Sequence, residues 1–172
     1  MTIFNSIHKK IILILFFLCS TLVLSAQTTV PAKVSYTLSP MINLVVNTLD
    51  NSAFNFTTAD MMEFGIIKYN RTRVLVKSNK QWMLQILALN ADFTVISGSP
   101  STDVPANLIQ IKRHSDSNFY SLSNITPVVM QGNRGDNFTQ GNTFQIDMKM
   151  VPGFNYDQGS YRLNIVYTLT QL

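Results

Sequence analysis

Apolar and polar residues alternate along most of the chain, the pattern of β-strands that bury one face. Each run predicts one strand, and in the fourth run Asp147 falls on the polar side, towards water. The clearest runs are Thr29–Leu38, Arg73–Lys77, Trp82–Ile86, Phe144–Val151 and Tyr161–Thr170. Less regular strands are predicted at Met41–Thr48, Ala53–Phe56, Phe64–Tyr69, Leu108–Lys112 and Val128–Met130, with one helical turn at Thr58–Glu63.

Turn-forming residues separate these runs. Gly, Pro and Asn clusters stand at Ser97–Pro100, Gln131–Asn133, Val151–Gly153 and Asp157–Gly159, and Ser78–Gln81 has the composition of a hairpin loop. Many short strands with such turns predict an antiparallel, immunoglobulin-like β-sandwich. We expect it to form a single domain over Gln27–Leu172.

The first 26 residues have the pattern of a cleavable signal peptide. Lys9 and Lys10 precede an apolar stretch, and small residues end it at Ser25-Ala26. The stretch is too short and interrupted for a membrane span, which needs about 20 apolar residues. We therefore expect a protein that is secreted to the periplasm or cell surface, with no stable membrane span in its mature part.

Charge and cysteine content argue against a disulfide-stabilised protein and against a nucleic-acid-binding protein. The expected mature chain keeps 11 of the 13 basic residues against 9 acidic ones, and it loses Cys19, the only cysteine. It therefore depends on packing rather than on disulfides. Because no basic run is longer than Lys112-Arg113, nucleic-acid binding is not expected.

Catalytic and metal-binding patterns are missing from the sequence. The mature part has one histidine, His114, in the segment His114–Ser117, where neighbouring side chains of an extended chain point to opposite sides. A serine triad needs residues that converge from separate places, and structural zinc needs several Cys or His ligands. We predict a non-enzymatic protein without a cofactor or a metal, in which His114 belongs to a polar loop.

Two features suggest weak binding sites. Asn133, Arg134 and Asp136 lie in a polar loop and include the tripeptide Arg-Gly-Asp that integrins recognise, although Gly135-Asp136 is equally typical of a turn. Trp82 could stack on a sugar or a peptide, but its phase with Leu84 and Ile86 favours a place in the core.

The stretch Gln27–Leu38, which alternates and lies next to the cleavage site, is a candidate strand-exchange element. Pro31 removes one backbone donor, which suits an edge or exchanged strand. Such a strand completes its own sheet or adds to that of a neighbouring subunit, with Tyr161–Leu169 as a candidate receiving strand. The apolar residues of the element are Val30, Ala32, Val34, Tyr36 and Leu38.

Three segments carry a resemblance to a known group of proteins: Val76–Leu84, Val151–Tyr156 and the closing Gly159–Thr170. Together they resemble small secreted β-sandwich proteins of Gram-negative bacteria, including pilin-like and spore-coat-like immunoglobulin-fold subunits. The resemblance implies an envelope or surface protein, structural or adhesive in a fimbrial manner, whose partners are copies of itself or other envelope proteins. The alternative is a module that binds surface glycans or another ligand through its loops.

Overall fold

The structure is a computed structural model that describes residues 35–51, 53–98 and 101–172. Within these ranges about half of the chain forms β-strands, and turns, loops, one short α-helix and one 3₁₀ turn at Ala106–Leu108 connect them. In chain order the elements are β1 (Ile42–Thr48), α1 (Ala59–Phe64), β2 (Ile66–Ser78), β3 (Trp82–Ala88), β4 (Thr94–Gly98), β5 (Ile109–Arg113), β6 (Tyr120–Ser121), β7 (Val128–Gly132), β8 (Thr143–Met150), β9 (Gly159–Arg162) and β10 (Ile165–Gln171).

Every strand pair is antiparallel. A five-stranded sheet has the order β1-β2-β8-β5-β6, a three-stranded sheet has the order β10-β3-β7, and β4 pairs with β9. None of these sheets closes into a barrel within the described residues. The two larger sheets enclose a common core, so the predicted all-β antiparallel sandwich is confirmed.

The core follows from the alternation in the sequence. Trp82, Leu84 and Ile86 on β3 have no exposed surface, and Val74 and Val76 of β2 pack into the same cluster. Full burial of each such side chain contributes roughly 1.5–3 kcal/mol before cavity and strain effects. The prediction that Trp82 lies in the core is confirmed.

The connection Ser78–Gln81 does not form the predicted hairpin. It leads from β2 in the five-stranded sheet to β3 in the three-stranded sheet, so the two strands lie in different layers. The physical reason is that β2 and β3 each have a row of fully buried apolar residues. These rows pack in one core cluster instead of standing side by side in one sheet.

Two further strand predictions are wrong. The run Tyr161–Leu169 is broken between β9 and β10, because β9 pairs with β4 while the Asn164 carbonyl accepts the Leu89 N–H and starts the pairing of β10 with β3. The described residues of 53–56 form no strand. Instead, Phe54 and Phe56 stack 6.5 Å apart and pack against the core.

The predicted strand Phe64–Tyr69 is the first part of β2. Its register against β8 shifts between Lys68 and Thr72, where Asn70 takes a left-handed φ of 52°. This bulge inserts extra residues and redirects the side chains around it.

The helical turn predicted at Thr58–Glu63 is present as α1. Thr58 caps it by accepting the Met61 N–H, and Gly65 ends it with a φ of 79°. A side chain at Gly65 would place Cβ 2.4 Å from the Met150 carbonyl oxygen. The helix is thereby fixed beside the end of β8.

The N-terminal predictions fall largely outside the described residues. These are the signal peptide over residues 1–26 and the positions Val30, Ala32 and Val34. Residues 35–40 form no strand, and Tyr36 and Leu38 are 82% and 76% exposed. Residues 39–172 form a compact unit of their own. No helix of the described part is long and apolar enough to cross a membrane.

Candidate functional site

One flank of the sandwich is bordered by the edge strands β1 and β10. Among the described residues, β1 pairs only with β2, and β10 pairs only with β3. An edge strand directs every second N–H and C=O away from its sheet, where another strand can bind them. This flank is therefore the candidate functional site.

The register identifies the backbone groups of β10 that point outward. Asn164 O accepts the Leu89 N–H and Leu172 N donates to Gln81 O, so the even-numbered residues of β10 bond to β3. Antiparallel pairs alternate between bonded and non-bonded positions. The N–H and C=O groups directed away from β3 thus belong to the odd-numbered residues, which are Ile165, Tyr167, Leu169 and Gln171.

The same alternation holds in β1. Leu49 N donates to Arg71 O and Asn79 N donates to Met41 O, so the odd-numbered residues bond to β2. Leu44 and Val46 consequently direct their backbone groups outward. On both edges the outward backbone groups belong to residues whose side chains face the core side.

These side chains are only half-buried. Leu44, Tyr167 and Leu169 pack against the core but remain partly exposed, whereas the core residues of β3 are enclosed. Tyr167 crosses the flank and hydrogen-bonds with Thr72 of the other sheet. Burial raises the pKa of Tyr167, and the smaller effects of the Thr72 bond and of Arg71 oppose that rise.

The residues that lead into β1 are fixed at one end of this flank. Asn79 accepts the Met41 N–H through Oδ1 at 2.9 Å and donates through Nδ2 to the Ser39 carbonyl at 2.8 Å. Gln171 Nε2 donates to the Met41 carbonyl at 2.8 Å. Ser39 and Met41 therefore lie beside the end of β10.

A second polar site lies on the outer face of the five-stranded sheet, around Asp147. Its carboxylate is fully buried, and it accepts the Asn70 N–H at 2.8 Å. His114 Nδ1 lies 3.0 Å from its Oδ1, and Lys112 Nζ lies 3.6 Å from its Oδ2. The ring of Tyr69 meets His114 edge-on, with centroids 6.3 Å apart.

The sequence analysis missed this cluster. Alternation predicted that Asp147 faces water, and this prediction is wrong because its carboxylate is covered. The β2 bulge places the Asn70 N–H over the carboxylate, and Lys112 of β5 pairs with the same carboxylate. The bulge is a non-local feature, and the only sequence signal was the pair of basic side chains two residues apart at 112 and 114. The structure shows His114 as an exposed partner of Asp147, with Ser115 bonded to Asp116 rather than to the imidazole.

The loop residues predicted as a weak binding site have roles within the loop. Asp136 Oδ1 accepts the N–H groups of Phe138 and Thr139 at 2.9 and 3.1 Å, which is an Asx turn. Gly135 exchanges two backbone bonds with Ser78, and a Cβ there would lie 2.0 Å from Thr139 Oγ1. Asn133 lines a shallow depression nearby, and Arg134 is exposed. Turn geometry thus accounts for Gly135 and Asp136.

The surroundings of Trp82 explain its burial. Its indole Nε1 donates to Asn142 Oδ1 at 2.9 Å, and its ring stacks on Phe144 at 6.3 Å. The Arg113 guanidinium lies 4.2 Å from the Phe144 centroid and donates to the Gln131 carbonyl. Burial lowers the pKa of Arg113, and the nearby Asp116 opposes that change. The site closes the core and leaves no stacking face open.

The described residues contain no group of three or more His, Cys, Asp or Glu side chains placed to hold a metal ion. The Asp147 cluster includes a lysine, whose ammonium competes with a cation for the carboxylate.

Comparison with known protein families and with curated proteins finds no match for this chain.

Proposed function

We propose that this protein is a non-enzymatic structural subunit of the cell envelope or surface, whose copies join by β-strand addition. The receiving site is the open edge of β10, which replaces the longer Tyr161–Leu169 stretch expected from the sequence. The incoming strand is the segment Val30–Leu38 of another copy.

The arrangement of β10 carries this proposal. Its outward backbone groups belong to half-buried residues, so a strand that bonds to them would lie over an incompletely covered part of the core. The segment Val30–Leu38 alternates apolar and polar residues and spans about 30 Å when extended. It can therefore pair with all of β10, and its apolar residues would face the same core.

Charged substitutions in the donor segment provide the first test. Tyr36→Lys combined with Leu38→Lys places charges on the apolar side of that segment. We expect the purified exported protein to form ordered polymers and the double variant to remain monomeric, measured by light scattering across concentration and by electron microscopy. The matched control, Ser35→Lys with Thr37→Lys, adds the same charge on the polar side and should still assemble.

Substitutions on β10 test the receiving edge. Leu169→Lys directs a charge inward at this edge, a feature that blocks strand addition in natural sheets. Thr168→Lys, on the exposed face of the same strand, is the control, and thermal unfolding verifies that both variants fold. A wild-type protein that stays monomeric, or a folded Leu169→Lys variant that assembles normally, would contradict the proposal.

A peptide measures the same contact directly. A labelled peptide with the sequence Thr29–Leu38 should bind the monomeric Tyr36→Lys/Leu38→Lys variant, detected by fluorescence anisotropy. A scrambled peptide that lacks the alternation should not bind.

A further inference from the structure

The two ends of the sandwich carry opposite charge. We define the turn end by the β2–β3 connection, which lies beside the start of β1 and the ends of β7 and β10. The far end is the opposite one, where β3 ends and β10 begins. Six of the nine acidic residues lie in segments at the far end: Asp50, Asp60, Glu63, Asp92, Asp103 and Asp157.

Two groups of contacts gather the far-end acids. The Gly153 N–H donates to the Met62 carbonyl at 3.0 Å, which fixes the exposed Asp60 and Glu63 of α1 beside the loop after β8. In the second group, Asp92 pairs with Pro105, and Asp157 bonds to Ser101 Oγ, two residues before Asp103.

The far-end acids other than Asp50 have no described cationic partner. Asp50 pairs with Lys68, whereas Asp60, Glu63, Asp92, Asp103 and Asp157 are exposed and form no ion pair among the described residues. Lys68, Arg71, Lys149 and Arg162 lie in segments at the same end, so six acidic residues stand against four basic ones and the far end has a net negative charge.

The turn end carries the complementary charge. Lys77, Lys80 and Arg134 are exposed there, and the double backbone bridge between Ser78 and Gly135 holds their segments together. Arg113 adds a fourth cation. The acids at this end are Asp116 and Asp136, and the latter directs Oδ1 to backbone N–H groups.

Exposed apolar side chains accompany the charges at both ends. Phe64 and Phe154 are 69% and 66% exposed at the far end, and Phe138 is 89% exposed at the turn end. A depression of 260 Å³ bordered by Gln81, Gly132 and Leu172 lies at the turn end. Such side chains beside charges of opposite sign are typical of two surfaces that bind each other.

We infer that copies of this chain associate head to tail, with the acidic far end of one copy on the basic turn end of the next. A contact between two different surfaces leaves one free surface on each outermost copy, so it generates a filament unless the rotation closes a ring. The inference rests on the proposal that copies assemble, and it specifies which surfaces meet.

This polarity also fixes the direction of the added strand. Ser39 and Met41, which follow the donor segment in the chain, lie at the turn end beside Asn79 and Gln171. In a head-to-tail contact, a donor strand therefore enters the next copy at its far end. Its N-terminal part then reaches towards the turn end of that copy. It therefore runs antiparallel to β10, which proceeds from the far end to the turn end.

Charge reversal at each end tests the inference in the full exported protein. Asp60→Lys with Glu63→Lys makes both ends positive, and Lys80→Glu with Arg134→Glu makes both ends negative. We expect each variant to self-associate roughly tenfold more weakly than wild type, about 1.4 kcal/mol, in sedimentation at about 0.05 M salt, where screening is weak. An equimolar mixture of the two should associate as wild type does.

The control is Arg73→Glu with Lys149→Glu, which makes the same charge change on the outer face of the five-stranded sheet. It should leave association unchanged. Higher salt should weaken the association of the wild type, of the control and of the mixture, but not that of either end variant alone. If the folded end variants do not associate on mixing, or if the control loses association equally, the inference is overturned.

The outcomes separate the two proposals. Association that depends on the end charges but survives Tyr36→Lys/Leu38→Lys supports the head-to-tail contact and overturns strand addition. Association that requires the donor segment but is unaffected by the end charges supports strand addition and overturns the head-to-tail contact. A wild-type protein that is monomeric at low salt overturns both.

Discussion

Two aromatic side chains of the three-stranded sheet reach the five-stranded sheet in different surroundings. Trp82 donates to Asn142 in a fully enclosed site, stacked on Phe144. Tyr167 hydrogen-bonds with Thr72 at the open flank between β1 and β10. Each of these aromatic side chains reaches the other sheet through one polar atom. Only Trp82 is surrounded by other side chains on every side.

The difference separates the part of the sandwich that is complete from the part that can accept a further strand. Around Trp82 even a methyl group is excluded, since a Cβ on Gly132 would lie 2.1 Å from the indole. Around Tyr167 the side chains are half-buried and the backbone of β10 has open positions. We expect stability to depend mainly on the enclosed side and assembly on the open side.

The largest expected effect is that of Trp82→Ala. Removing a fully buried aromatic side chain costs about 3–5 kcal/mol, and Asn142 also loses its partner. Tyr167→Ala should cost clearly less because its site is half open. Urea unfolding followed by circular dichroism measures both, and equal losses would mean that the two links are equivalent.

The Asp147 cluster on the outer face of the five-stranded sheet gives a second test. Asp147→Asn leaves Lys112, a largely buried cation, without its counter-charge, and we expect a loss of roughly 2–4 kcal/mol. Asp116→Asn, an exposed acid near the same strand, should change the free energy of unfolding by less than about 0.5 kcal/mol. In a Lys112→Met background the cost of Asp147→Asn should fall, and an unchanged cost would show that the ion pair is unimportant.

Gly132→Ala probes the tightness of the enclosed side. The new methyl group must displace the indole ring, and overpacking of this kind costs about 1–3 kcal/mol. The loss should shrink when Trp82 is first replaced by Leu, which frees space at the same point. A loss of the same size in both backgrounds would indicate a backbone effect instead.

Tyr167→Phe has the smallest expected effect and reports on the open flank. Loss of the bond to Thr72 should cost about 0.5–1.5 kcal/mol at neutral pH. Because burial raises the pKa of Tyr167, the folded chain retains the phenol proton in an alkaline interval in which the unfolded chain loses it. Stability from this group is complete below pH about 10 and decreases as the pH rises towards the raised pKa.

The difference in free energy of unfolding between wild type and Tyr167→Phe should therefore decrease as the pH increases above 10, measured by urea unfolding at several pH values. A constant difference between the two proteins would show that the phenol titrates alike in both states.

The strands were predictable where alternation is local and regular. The predicted strands Trp82–Ile86 and Phe144–Val151 match β3 and β8 closely, because an apolar row facing a core leaves a period of two in the sequence. That Ser78–Gln81 connects two different sheets was not predictable in this way, since a short connection between two sheets has the same composition as a hairpin loop within one sheet. The pairing partners decide between them, and they lie far away in the chain.

The site residues were less predictable for the same reason. The burial of Asp147 depends on a bulge in β2 and on a lysine in β5, which no local pattern connects. The charge difference between the ends becomes visible only when the strand directions are known. The alternating donor segment, in contrast, could be identified from its residues alone, and its role stays a prediction.

The burial of Trp82 has a practical consequence for spectroscopy. It is the only tryptophan of the chain and has no contact with solvent, so its fluorescence reports on a single interior environment. A neighbouring copy that covers an end or an edge adds nothing to its immediate surroundings, whereas opening of the core exposes it to water. Intrinsic emission therefore follows unfolding and light scattering follows association, and one unlabelled sample yields both quantities independently.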